Sequence, residues 1–225
     1  SKGGKRNYYV LMENCPGGSL LDVINQHSER KEHLAEDRLL SIFEECCAGV
    51  AHMHTQVPPI CHRDIKAENL LLSVDGRFKL CDFGSATTKT FTPETTKEIL
   101  AAEDEIERMT TLQYRAPEMV DLHQKLEISQ LVDVWALGCL LYTMAFFVHP
   151  FPDGRLQILN AKPEIPSTSP YSQRVHNIIC ACLDKDPRTR PDIAELLRRV
   201  STTTTTCCLV ADYNTGTGPH CAMGG

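Results

Sequence analysis

The stretch CHRDIKAENLL, Cys61 to Leu71, sets a histidine, an arginine, an aspartate, a lysine and an asparagine close together and runs straight into leucines. Polar side chains packed so tightly against an apolar run read as a site, not as a solvated loop. The types present have distinct uses. A carboxylate can take or orient a substrate proton. An ammonium can neutralise an anion, and carboxylate or amide oxygens suit a hard cation. Two further triplets follow in order, Asp82-Phe83-Gly84 and Ala116-Pro117-Glu118. Thiolate or imidazole metal chemistry has little support. The eleven cysteines contain no C-x-x-C, and His52 and His54 are two apart, on different sides of a helix. An odd cysteine count with adjacent pairs at 46/47 and 207/208 fits free thiols and a reducing compartment.

The elements that must position these residues can be read from periodicity. Tyr8 to Met12 is aromatic and branched and reads as a strand, broken by Pro16-Gly17-Gly18. Ser19 can cap a helix reaching about His27. From Glu36 to His54 the positions Leu39, Phe43, Cys47, Val50 and Met53 recur at helical spacing, and Pro58-Pro59 ends that helix. Short strands are expected at Leu70–Ser73 and Phe78–Cys81 around the turn Asp75-Gly76. Within the threonine- and acid-rich segment 85–116, Ile99, Ala102, Ile106 and Met109 mark one helix face. Further helices are expected near Ser129–Phe147, Gly154–Asn160, Ser172–Leu183 and Asp192–Val200.

Bulk properties set limits. The 225 residues suffice for one large domain, and 42% hydrophobic with 23% charged residues is ordinary for a globular protein. A net charge of −6 gives no overall basic footprint, so nucleic acid is not an expected partner. The most apolar run, Val134 to Val148, is fifteen residues long, short of the ~20 needed to span a bilayer, and reads as a buried helix. After Val200 a threonine run and glycines suggest a disordered tail.

His62-Arg63-Asp64, four residues, then Asn69 resembles the catalytic loop of protein kinases, and Asp82-Phe83-Gly84 and Ala116-Pro117-Glu118 match that family's later signatures in the right order. CDFGSAT, EDEIERMTTLQYRAPEMVDL and DVWALGCLLY are similar to the Numb-associated kinases, a family that includes adaptor-associated, cyclin-G-associated and fungal actin-regulating kinases. The resemblance covers about Tyr8 to Val200. It implies a mainly α, protein-kinase-like fold: residues 1–16 as a frayed start, the last small-lobe strand and the hinge, 17–200 as the large lobe with an activation segment at 82–118, and 201–225 as the tail. It also implies a cytoplasmic monomer, peripheral at endocytic membrane sites, that uses ATP and Mg²⁺ on serine or threonine of an endocytic adaptor or actin-patch protein.

Carried over by position, Asp64 accepts or orients the hydroxyl proton, Lys66 sits by the γ-phosphate, Asn69 and Asp82 hold Mg²⁺, and Thr111 bonds Asp64 and Lys66. Met12 matches the gatekeeper, Glu13 to Cys15 the hinge with the backbone of Glu13 and Cys15 facing adenine, and Leu71 the floor beneath the ring. Asp133 is expected to hold the catalytic-loop backbone with Trp135 packed nearby, Glu118 to pair with Arg190, and His62 and Phe83 to stack in the core. Arg63 can meet a phosphate on one of the activation-segment threonines. Glu103, Asp104, Glu105 and Glu107 bring carboxylates to the same segment, and one of them is expected to engage Arg63 or a neighbouring basic group.

The family's small lobe contributes a G-x-G-x-x-G loop, a strand lysine and a helix glutamate, all before the hinge. About eleven residues precede Met12 here, and Lys2-Gly3-Gly4-Lys5 lacks the spacing of that loop. Two expectations follow. The chain is a truncated piece of an active kinase, inactive alone; the alternative is a non-catalytic binding module derived from one.

Overall fold

Leu131–Phe146 forms a helix that is apolar around almost its whole circumference, and nearly every residue of it is buried. It forms part of the hydrophobic core of the computed structural model, which describes residues 9–152 and 154–201. In chain order the elements are α1 (Leu20–Arg30), α2 (Glu36–His54), β1 (Leu70–Leu72), β2 (Phe78–Leu80), α3 (Thr96–Met109), α4 (Pro117–Val120), α5 (Leu131–Phe146), α6 (Arg155–Asn160), α7 (Gln173–Cys182) and α8 (Ile193–Val200). The fold is mainly helical, with a single two-stranded sheet among the described residues. No helix among them is long and apolar enough to cross a membrane.

Local chemistry sets several boundaries. Ser19 caps α1: its hydroxyl accepts from the Asp22 N–H while the Asp22 carboxylate takes the Ser19 N–H, a reciprocal box. Thr95 and Glu98 repeat the arrangement at the start of α3. The face of α3 marked by Ile99, Ala102 and Ile106 is buried, as the spacing predicts, and Met109 is half-buried at its end. Helix α2 packs on α8, on the hairpin and on α5, and α5 packs on α7. Gly138 allows the last contact, because a Cβ there would lie 2.6 Å from the Cys182 Cβ.

β1 and β2 pair antiparallel, with Leu70 opposite Leu80 and Leu72 opposite Phe78. The chain before α1 lies along β1: Gly17 N–H donates to Leu72 O at 3.0 Å and Leu72 N–H to Gly18 O at 2.9 Å. Gly17 has no room for a side chain, since a Cβ would come within 2.7 Å of Leu72 Cβ and 2.8 Å of its carbonyl.

One expectation is corrected. Residues 9–12 form no strand; Tyr9, Val10 and Leu11 are exposed and Met12 is 64% exposed. A strand exists through hydrogen bonds to a neighbour, and no neighbouring strand pairs with this segment among the described residues. Tyr8, the rest of the frayed start at 1–7 and the tail at 202–225 lie outside the described residues.

Candidate active site

Asp133 organises the loop that carries Asp64. It stands in the first turn of α5, where the helix dipole favours a carboxylate, and its side chain is fully buried. One oxygen accepts the His62 N–H at 2.7 Å and the other the Arg63 N–H at 2.8 Å. His54, from the last turn of α2, reaches the first of these oxygens through Nε2 at 2.9 Å. Burial alone would raise the Asp133 pKa. The bonds from His54, His62 and Arg63 outweigh it and leave the pKa below the usual value. Arg63 adopts the left-handed conformation, φ 68°, which a non-glycine residue rarely takes. The Asp133 carboxylate holds the turn in that shape.

His62 completes the frame. Its Nδ1 faces the Asp64 N–H at 3.3 Å and its Nε2 faces Cys81 O at 3.1 Å. Nδ1 must accept, so Nε2 carries the hydrogen and donates. Both ring nitrogens are committed to backbone, which makes His62 a structural residue.

Asp64 sits at the centre of a closed set of bonds. Lys66 Nζ donates to Oδ2 at 2.7 Å, and Thr111 Oγ1 donates to Oδ1 at 2.7 Å. Lys66 also donates to Thr111 Oγ1 at 3.1 Å. Asn69 Nδ2 donates to Asp64 O at 2.8 Å and to Oδ2 at 3.2 Å. Partial burial pushes the Asp64 pKa up, and the bonds from Lys66, Thr111 and Asn69 bring it down below the usual value. The carboxylate is therefore ionised at neutral pH and is lost only as pH falls through that lowered value.

The hairpin brings Asp82 beside this group. Cys81 N–H donates to Asn69 O at 2.9 Å, one step beyond the Leu70–Leu80 pair. Asp82 then turns out of the strand with φ 62°, exposed, and its Oδ1 accepts the Gly84 N–H at 3.3 Å. The Asn69 amide nitrogen is spent on Asp64, which leaves its oxygen as the end suited to a cation. The oxygen of buried Asn69 and the carboxylate of exposed Asp82 are donors of the hard type that suits Mg²⁺, which takes its remaining ligands from phosphate and water. No cluster of three or more His, Cys, Asp or Glu side chains able to hold a metal occurs among the described residues.

The expected adenine-side residues are less tightly joined. The Glu13 carboxylate bonds the Ser73 hydroxyl and lies 3.7 Å from Lys79 Nζ. Leu71 bridges to Ser19, and both Leu71 and Cys15 are half-buried. Met12 is exposed above them. The structure thus brings Asp64, Lys66, Asn69 and Thr111 into mutual contact, links Asp82 to them through backbone, and leaves Met12 outside any packed cluster.

Other expected pairs can be checked in the same way. The Glu118 carboxylate accepts two bonds from Arg190, at 2.6 and 2.7 Å, with both side chains fully buried. Arg190 also lies over the Trp135 ring, 5.1 Å from its centroid, and donates to Asp184 O. Arg63 Nη1 meets Glu105 at 2.7 Å. His62 and Phe83 are in contact, with centroids 5.4 Å apart, but the rings are tilted by 60° and Phe83 is 55% exposed. The expected core stack is corrected to a tilted contact at the surface, since more than half of Phe83 is open to solvent.

Two positioning residues escaped the sequence reading. His54 was set aside with His52 as an unsuitable metal pair, yet it is the side-chain clamp on Asp133. Ser85 takes Arg63 Nε on its carbonyl at 2.6 Å and donates its hydroxyl to Met109 O at 2.5 Å. A role played through backbone carbonyls leaves no signature in residue type.

Comparison with known proteins agrees with this geometry. Residues 3–200 match the protein kinase domain. A Dictyostelium discoideum protein named "Probable serine/threonine-protein kinase" is 52% identical over 189 residues, 84% of this chain and 23% of the relative. Actin-regulating kinase 1 of Saccharomyces cerevisiae is 38% identical over 217 residues, 96% of this chain and 34% of the relative. Actin-regulating kinase PRK1 of the same yeast is 39% identical over 206 residues, 91% of this chain and 25% of the relative. The chain spans about a third or less of the length of these relatives. With the family match covering most of its residues, this chain belongs to the protein kinase family.

Proposed function

We propose that the chain supplies the hydroxyl-handling and metal-holding half of a serine/threonine protein kinase site. The observation that carries this reading is the set of hydrogen bonds that fixes the Asp64 side chain between Lys66, Thr111 and Asn69. In the proposed reaction Asp64 orients the substrate hydroxyl and accepts its proton as the oxygen attacks the γ-phosphorus of ATP and ADP departs. Lys66 offsets negative charge on the transferring group, and Thr111 keeps the Asp64–Lys66 pair in one geometry. Asn69 and Asp82 would hold Mg²⁺, which neutralises phosphate charge when bound. Glu13, Cys15 and Leu71 would line the adenine side, with Met12 as gatekeeper. The names of the yeast relatives, both actin-regulating kinases, support a protein substrate in actin regulation; an endocytic adaptor as substrate and a cytoplasmic monomer at the membrane periphery are what the family resemblance implies.

The described residues include no glycine-rich loop or strand lysine over the β- and γ-phosphates, and preorganised charge of that kind dominates such reactions. A polypeptide of residues 1–225 is therefore expected to bind Mg-ATP more weakly than millimolar and to transfer no measurable phosphate. Titration calorimetry and a radiolabel transfer assay on the purified monomer check this. Micromolar binding with transfer abolished by Asp64→Asn would mean that hinge and catalytic loop suffice.

A further inference from the structure

Among the described residues, the segment 9–16 is tied to the rest of the chain by one polar side chain. The Glu13 carboxylate accepts the Ser73 hydroxyl through Oε1, and its Oε2 lies 3.7 Å from Lys79 Nζ. No other member of 9–16 makes a hydrogen bond or an ion pair among the described residues. The next tie comes at Gly17, whose N–H donates to Leu72 O.

The partners of Glu13 belong to the hairpin. Ser73 directly follows β1 and is 4% exposed, so its hydroxyl is shielded from water. Its N–H donates to Arg77 O at 2.9 Å and its carbonyl accepts the Gly76 N–H at 3.1 Å, so the turn that presents the hydroxyl is itself closed. Asp75 Oδ1 accepts the Arg77 N–H at 3.1 Å, and Asp75 Oδ2 lies 3.5 Å from Lys79 Nζ. Lys79 therefore stands between two carboxylates. All three of these charged side chains are about half exposed, and ion pairs of that kind contribute little in water. The bond from Ser73 is the stronger tie, because a charged acceptor meets a buried donor that has no water to turn to.

We propose that Glu13 is a positioning residue: its side chain, anchored on Ser73, fixes the backbone of 13–15 against the hairpin, so that the groups assigned to the adenine side are in place before nucleotide arrives. Glu13 and Gly17 then hold the two ends of the short span Asn14-Cys15-Pro16, and the cost of ordering that span is not charged to binding. The part played toward nucleotide rests on the kinase reading; the tether itself does not.

Amide hydrogen exchange on the full 225-residue chain reads the tether, with α5 as internal reference. Glu13→Ala and Ser73→Ala should each speed exchange at the Gly17 and Leu72 amides about tenfold or more, the scale of one hydrogen bond to a charged group. The double variant should exchange no faster than either single one, since both remove the same bond. Glu13→Gln keeps an oxygen for the Ser73 hydroxyl and should stay close to the parent, as should Lys79→Met. Parent-like exchange in Glu13→Ala, or additive effects in the double variant, overturns the tether. The positioning role has its own readout. In the full chain joined to the small lobe of a serine/threonine kinase, Glu13→Ala should weaken Mg-ATP binding about tenfold by calorimetry and leave the KM for peptide unchanged. Unchanged nucleotide affinity beside a loosened Gly17 overturns that role. In a parent that transfers no phosphate the kinase reading fails, while the exchange result still decides the tether.

Discussion

Asp64→Asn, in a protein whose nucleotide site is completed by a small lobe, is expected to lower turnover at least ~100-fold, the usual scale for a positioned acid or base. The substitution keeps the shape, but its one amide oxygen can accept from only one of Lys66 and Thr111, which bond different oxygens of Asp64, and it removes the charge and the proton acceptor. Nucleotide affinity should change little, because Asp64 is held by Lys66, Thr111 and Asn69 on the hydroxyl side of the site. Steady-state kinetics separate the two quantities: the effect belongs in kcat. The lowered Asp64 pKa sharpens the expectation, since the parent carboxylate is fully ionised at neutral pH and loses its charge only in acid. A mutant that phosphorylates peptide as fast as the parent would remove Asp64 from the chemistry.

Arg190→Ala is expected to be the most destabilising single change outside the hydrophobic core. Both members of the Glu118–Arg190 pair are excluded from water, joined by two short bonds, and supported by Asp184 O and the Trp135 ring. Removing one partner strands the other charge and costs ~3–5 kcal/mol. For a chain of this size that is a fall of roughly 6–20 °C in the thermal midpoint. The pair joins α4, at the end of the activation segment, to the loop before α8, so the loss should also loosen 112–120. The double variant Glu118→Met with Arg190→Leu should be less destabilised than either single change, because no charge is left buried alone. A midpoint within a degree or two of the parent in Arg190→Ala would show that the pair contributes little.

How much of this could be read from residue order differs with the physics involved. Helix α2 and the buried face of α3 follow from apolar periodicity, because burying a face of that spacing requires a helix, and α5 follows from an unbroken apolar run; α2 and α5 were legible to within about two residues. The Asp64, Lys66 and Asn69 cluster was legible because three unlike polar groups crowd one short loop. Thr111, Glu118 and Arg190 lie far from their partners in sequence and could be placed only through the family resemblance. Residues 9–12 have the local propensity of a strand, but the decisive term is a partner strand, and none pairs with them among the described residues. His54 and Ser85 were missed for a related reason. One acts across a long sequence separation on a carboxylate, and the other acts through its backbone.

Asp64, Lys66, Asn69 and Asp82 are proposed to be the catalytic-loop and metal-holding side chains of a serine/threonine kinase. The most direct measurement joins residues 9–201 to the small lobe of a serine/threonine kinase and follows radiolabel transfer from Mg-ATP to a mixed peptide substrate. The expected result is label on serine or threonine, lost in Asp64→Asn and in Asp82→Asn, the latter with weakened Mg-dependent nucleotide binding. A folded, Mg-ATP-binding protein that transfers no label, or one that labels equally well without Asp64, would contradict that assignment.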